Sequence, residues 1–239
     1  MKNAFNLFLL SPVIGVVQAF KHHREFWAKN SIWLFIIFYG FTMFRPEQMD
    51  SARYVAKLQE LHSQSVSWDS FINSFYTEEG DTVDLYQPLV TYLLSMVTDS
   101  GSVLFAVFGV VFGYFYSRNI WLMIDLIGVK KTDRFFWLMI ASFICVVGFW
   151  NLNGVRMWTA AHIFFYGGYL FLMNNKIKGF LIAASTILVH FSFVVPVLVL
   201  AAYYFLKSSW RVLYFIYLAS FFISNLNVES VKSRIESAT

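Results

Sequence analysis

Charged side chains are scarce in this sequence. Asp, Glu, Lys and Arg make up 13% of its 239 residues, against about a quarter in a soluble globular domain. With 58% of the chain hydrophobic and 21% aromatic, this shortage excludes a soluble globule and leaves an apolar surplus that must face something other than water. Cysteine is represented by Cys145 alone, inside an apolar run, so there is no disulfide framework, and no Cys and His spacing suits structural zinc. A P-loop, a Rossmann glycine fingerprint, an HExxH helix and a nucleophile elbow are all missing. ATP-driven transport and zinc proteolysis by those routes are disfavoured, and no cofactor is expected. Without EF-hand spacing, the carboxylates Glu78, Glu79, Asp81 and Asp84 read as a hydrophilic loop and not as a metal site. Repeats of fixed period, low-complexity tracts and Gly/Ser linkers are also lacking, so residues 1–239 are read as one transmembrane domain.

What is present is a series of apolar runs: residues 31–44, 103–116, 135–150, 155–173, 179–190, 191–206 and 212–226. In hydrocarbon a backbone must satisfy its own amides, so such runs are read as helices. Several fall below the roughly 20 residues of a full span, and flanking Trp, Tyr, Asn and Ser complete the crossing at the interface. The first run, 3–20, has one Lys before it and no small-residue cleavage site after it, so it is read as a retained helix and not a signal peptide.

The loop 21–30 carries Lys21, Arg24 and Lys29 against Glu25, and the positive-inside rule puts it in the cytoplasm. The net acidic segment 45–86 then falls outside. The stretch 85–98 is about 14 residues long and contains Pro88, too short to span, and is read as lying along or dipping into the outer interface. The later basic loops, 118–134, 174–178 and 207–211, then all become cytoplasmic. The expectation is an all-α polytopic membrane protein of about eight spanning helices, with an external loop at 45–102 that holds an amphipathic helix and the interfacial segment. The basic residues are a topology signal and not a nucleic-acid footprint.

Ionisable groups near membrane depth are costly and become functional candidates by default. Arg156 follows Asn151 and Asn153 in a tight apolar turn; it is either a snorkelling anchor or a bidentate phosphate ligand, and the two Asn and a Gly favour the second. His190, beside Ser192 in an apolar run, is either hydrogen-bonded structure or a group that moves a proton near neutral pH. His162, on another helix face, is read as a packing residue. In the segment after Arg45, the apolar residues Tyr54, Leu58 and Leu61 follow helical spacing and predict an amphipathic surface helix that starts near Asp50 and Arg53.

Taken as a set, these islands resemble the EpsG family, the Wzy-like polymerases of bacterial exopolysaccharide, capsule and O-antigen. The resemblance rests on Arg45 followed by Asp50 and Tyr54, on the Asn153-Gly154-x-Arg156 turn that opens a later helix, and on His190-x-Ser192, in that order over most of the chain. Two departures stand out: members are longer, so a C-terminally truncated member is expected, and Met157 occupies a position where the family often has Gln.

The resemblance implies a GT-C-like fold in the bacterial cytoplasmic (inner) membrane. It also implies polymerisation of undecaprenyl-diphosphate-linked oligosaccharide repeat units on the outer face. Arg156, His190 and Asp50 would be catalytic, with His190 as general base or diphosphate donor and Asp50 as the rival base. Arg45, Arg53, Tyr54, Asn153 and Ser192 would bind substrate. The partners would be membrane lipid, a chain-length regulator and a flippase, with no nucleic acid. The rival readings are a flippase or transporter for the same lipid-linked sugars, a membrane acyltransferase acting on glycans, and a non-catalytic scaffold.

Overall fold

The structure is a computed structural model that describes residues 8–64, 66–73, 84–126, 134–174, 177–206, 209–212, 214–215 and 217–218. Every element among the described residues is an α- or 3-10 helix, so the all-α expectation holds. The expected run 212–226 falls mostly outside the described residues, as do Glu78, Glu79 and Asp81. The chain divides into two compact units, Met1–Val194 and Val195–Thr239, and every residue of the candidate site lies in the first.

Residues 8–10 are helical, Ser11 interrupts the helix, and α1 (Pro12–Lys21) begins after it. Ser11 is extended, its hydroxyl accepts from the Ile14 amide, and Pro12 opens the helix, a capped start with a ring that has no amide proton to leave unpaired. Next comes α2 (Phe26–Thr42), which buries Ala28, Ile32, Ile36 and Gly40, one stripe at a spacing of four. The stripe faces α6 (Gly101–Leu126), whose Phe105, Phe108 and Phe112 are fully buried. Gly40 permits that approach: a Cβ there would lie 2.3 Å from the Phe105 carbonyl oxygen.

Between these two, α3 (Asp50–Gln64) buries Ser51, Tyr54, Leu58 and Leu61, the face expected from the spacing. A short α4 (Trp68–Asn73) stacks Phe71 on Tyr92, with ring centroids 4.2 Å apart. Tyr92 belongs to α5 (Tyr86–Ser95), at ten residues about 15 Å long and too short to cross a bilayer. α5 is polar inside and apolar outside: Gln87, Thr91 and Ser95 are buried while Leu93 is half exposed. Gln87 Nε2 donates to Thr91 Oγ1 at 3.0 Å, and the Thr91 and Ser95 hydroxyls donate to backbone carbonyls of the same helix.

After α7 (Arg134–Val146) the chain opens at Gly148, turns through a 3-10 helix (Phe149–Gly154) and enters α8 (Val155–Asn174). His162 is buried between the rings of Phe112 and Tyr116, and Asn119 Nδ2 donates to its carbonyl at 2.9 Å, the packing role expected of it. α9 (Ile177–Ala184) lies so close to α8 that a Cβ at Gly167 would meet the Ala183 nitrogen at 2.5 Å. The run 179–190 is not one helix. The Ser185 and Thr186 hydroxyls bond back to the carbonyls of Ile182 and Ala183, a competition with the helix ladder that bends or ends it. A single turn, α10 (Thr186–Val189), follows, then His190 in extended backbone, a 3-10 turn (Phe191–Phe193) and α11 (Val194–Phe205).

By length and composition, two described stretches suit a membrane crossing, Gly101–Leu126 and Arg134–Asn174. Within the second, α8 alone has 20 residues, a helix of about 30 Å, the thickness of a hydrocarbon core.

Candidate functional site

Asp84 is the hub of the polar residues. Its side chain is 5% exposed, and its two oxygens collect donors from two other segments of the chain. Oδ2 lies 3.1 Å from Arg156 Nη1 and 2.9 Å from His190 Nδ1, while Oδ1 accepts the Phe191 amide at 2.7 Å. Arg156 completes the cluster by donating from Nε to the Tyr54 hydroxyl at 3.1 Å. Four groups far apart in sequence thus form one part-buried network, of the kind in which each polar partner strengthens the others.

Local structure explains why each arrives there. Arg156 stands in the first turn of α8, delivered by the 3-10 turn that precedes it. Tyr54 is on the buried face of α3, edge-on to Phe108. His190 is where the helix has broken, and the break matters twice: it turns the imidazole towards Asp84, and it leaves the Phe191 amide at the start of a new helical segment, where no intrahelical carbonyl claims it. The backbone fastens the same junction, since the Leu85 amide donates to the Leu188 carbonyl at 2.9 Å.

The chemistry follows from donor and acceptor roles. A carboxylate only accepts, so the bond to Asp84 requires the proton on His190 Nδ1. In the neutral imidazole Nε2 is then the acceptor. The side chain of His190 is 27% exposed and that of Arg156 25%, so both have an open edge while the carboxylate between them does not. Burial pushes the Tyr54 phenol above its ordinary pKa, with the charge of Arg156 working in the opposite direction; Tyr54 is a neutral hydroxyl that accepts from Arg156.

The other expected site residues are placed differently. Asp50 and Arg53 pair with each other on α3; among the described residues no hydrogen bond links them to the Asp84 network, but the charge of Asp50 acts on Arg156 and Tyr54. Ser192 lies exposed in the 3-10 turn. Arg45 donates from Nη2 to Ser102 Oγ at 3.1 Å and stands over the Phe105 ring. Asn153 has its Oδ1 buried with no hydrogen-bond partner among the described residues.

The hub itself is what sequence reasoning missed. By sequence Asp84 reads as part of the acidic loop, whereas its carboxylate is buried and bonded to Arg156, His190 and the Phe191 amide. The available signal was its place as the last carboxylate before the apolar run 85–98. Among the described residues no group of three or more His, Cys, Asp or Glu side chains is arranged to hold a metal ion. Comparison with protein-family models, with curated proteins and with solved structures finds no match.

Proposed function

We propose that this chain is a Wzy-like polymerase of the EpsG type, which joins oligosaccharide repeat units carried on undecaprenyl diphosphate at the outer face of the bacterial cytoplasmic membrane. The observation that carries this reading is the convergence of Arg156 and His190 on the Asp84 carboxylate, with Tyr54 joined to it through Arg156, because three of these four residues were expected in the site from the resemblance alone. The multi-pass topology of about eight spanning helices belongs to the same reading. It is supported by the two long apolar stretches and by side chains such as Leu138, Leu181, Val195 and Leu198, each at least 62% exposed, a density of apolar surface suited to lipid.

In the reaction, the acceptor hydroxyl of one unit attacks the anomeric carbon of the sugar on another carrier. Its proton passes to His190 Nε2, a new glycosidic bond forms, and the bond from the anomeric carbon to the diphosphate oxygen breaks. The diphosphate leaves on its lipid with the bonding electron pair. Asp84 fixes the tautomer and ring orientation of His190, and Arg156 balances the charge of Asp84 while keeping further N–H groups for the departing diphosphate. The energy resides in the glycosyl phosphate bond, in keeping with the lack of nucleotide-binding motifs.

The same His–Asp pair favours one second reading, a membrane acyltransferase that modifies glycans, in which His190 would deprotonate a sugar hydroxyl for an acyl donor. The surface glycan of a deletion strain separates them. Polymerase loss collapses the ladder to single repeat units with lipid-linked units still on the outer face. An intact ladder that lacks only ester groups would favour the acyltransferase, and lipid-linked units trapped on the inner face would favour a flippase.

A further inference from the structure

Arg156 is matched by Asp84; Arg118 has no such partner. Among the described residues no ion pair reaches it, although it stands inside α6. It lies about 15 Å along that helix from Phe108, the ring against which Tyr54 packs, and so apart from the Asp84 network. An ionisable group within an apolar helix is costly and is normally paired.

What surrounds this cation is neutral. Nη2 donates to Asn30 Oδ1 of α2 at 2.7 Å and Nη1 to Ser117 Oγ at 2.9 Å, bonds that use two of the five guanidinium N–H groups. Cζ lies 4.3 Å from the centre of the Tyr114 ring and 5.3 Å from that of Trp33, and the two rings meet edge-on at 5.5 Å. Aromatic faces steady a cation and leave the edge of a guanidinium free to bond an anion. The charge also reaches the Tyr166 phenol of α8.

Depth and shape together say which anion fits. Trp121, three residues further along α6, donates from its indole to the His23 carbonyl at 2.9 Å. Arg118 is therefore about 5 Å from the level of the loop that holds Lys21, Arg24 and Lys29, close enough for a long side chain to reach lipid headgroups. Val110 and Tyr114 precede Arg118 at a spacing of four and are 40% and 36% exposed. The Trp33 indole donates to the Val110 carbonyl at 2.8 Å, so an apolar strip runs along the seam of α2 and α6 and ends at the cation. Free phosphate makes no use of such a strip, whereas a phospholipid lays an acyl chain along it. Basic sites between helices beside a basic loop take anionic headgroups in this way.

We propose that Arg118, with Asn30, Trp33 and Tyr114, binds the headgroup phosphate of an anionic phospholipid whose acyl chain lies along Val110 and Tyr114. The phosphate supplies the counter-charge that the protein does not, and Asn30 and Ser117 hold the guanidinium in place. Assigning the lipid to the inner leaflet rests on the proposed topology; the site itself rests on neither that topology nor the polymerase reading.

The test is native mass spectrometry of lipid retained by the full chain after release from nanodiscs of equal phosphatidylglycerol and phosphatidylcholine. Wild type is expected to retain phosphatidylglycerol preferentially. Arg118→Gln should reduce that preference about fivefold, the worth of about 1 kcal/mol for one cation at an anionic surface. Asn30→Asp gives Arg118 the carboxylate it lacks while leaving the cation in place, so the preference should fall as far. Lys57→Gln, on the exposed face of α3, should leave it unchanged. Thermal melting shows that each variant is folded, and Asn30→Asp carries the test if Arg118→Gln does not fold. Equal retention of the two lipids by wild type overturns the site, as does an undiminished preference in folded Arg118→Gln or Asn30→Asp. Titration of inorganic phosphate onto the chain in neutral detergent addresses the other source of the same chemistry: Arg118-dependent binding of phosphate without a lipid preference overturns the lipid assignment. Polymer formation is not the readout, so failure of this site leaves the polymerase reading standing, and the reverse holds too.

Discussion

At the scale of single residues, Asp84 organises the site. Removing its carboxylate strands the charge of Arg156 and the Phe191 amide, and Asp84→Ala should cost about 3 kcal/mol in unfolding free energy, within the range for breaking a buried pair. Arg156→Gln removes the same ion pair from the other side. A double-mutant cycle of the two should therefore show coupling of about 1–3 kcal/mol, and simple additivity would mean that the ion pair contributes nothing. Arg156 and His190 were legible in the sequence because an ionisable group in apolar surroundings stands out, and Tyr54 through its place on the apolar face of α3 and in the family resemblance. Asp84 was not legible, because it closes a run of carboxylates and any local reading treats it as solvated. Only the fold, which brings residues 84 and 190 together, turns it inward.

At the scale of elements, the helix register was readable where burial has a simple period. Tyr54, Leu58 and Leu61 mark the inner face of α3, and the short α5 agrees with a segment too short to span. The breaks were less readable. The run 179–190 is apolar throughout, and what ends it is the back-bonding of Ser185 and Thr186, two small polar residues that look unremarkable by hydropathy. The close contact of α2 with α6 was also hidden, since it depends on the missing side chain of Gly40. Gly40→Ala should push its Cβ onto the Phe105 carbonyl and lower stability by about 1–3 kcal/mol, the usual cost of overpacking. A thermal melt in detergent unchanged by Gly40→Ala would place the two helices further apart.

At the scale of the whole molecule, the proposed topology puts α3 outside and the basic loop 21–30 inside. In a Cys145→Ala background, Lys57→Cys should react with a membrane-impermeant maleimide on intact spheroplasts, and Arg24→Cys only after permeabilisation; the reverse pattern would invert the chain and move the Asp84 network to the cytoplasmic side. The proposed orientation rests on charge bias alone, the electrostatic rule that short basic loops stay on the cytoplasmic side. The number of crossings depends on segments shorter than a bilayer is thick, where length is a weak guide.

The most direct test of the polymerase is reconstitution in proteoliposomes with undecaprenyl-diphosphate-linked repeat units as the sole substrate and no nucleotide, comparing wild type with His190→Ala at matched, folded abundance. Wild type is expected to build a ladder of polymer, and His190→Ala to leave single repeat units. A ladder of normal length and rate from His190→Ala would contradict the role of His190, and no ladder from the wild-type chain would contradict the polymerase itself.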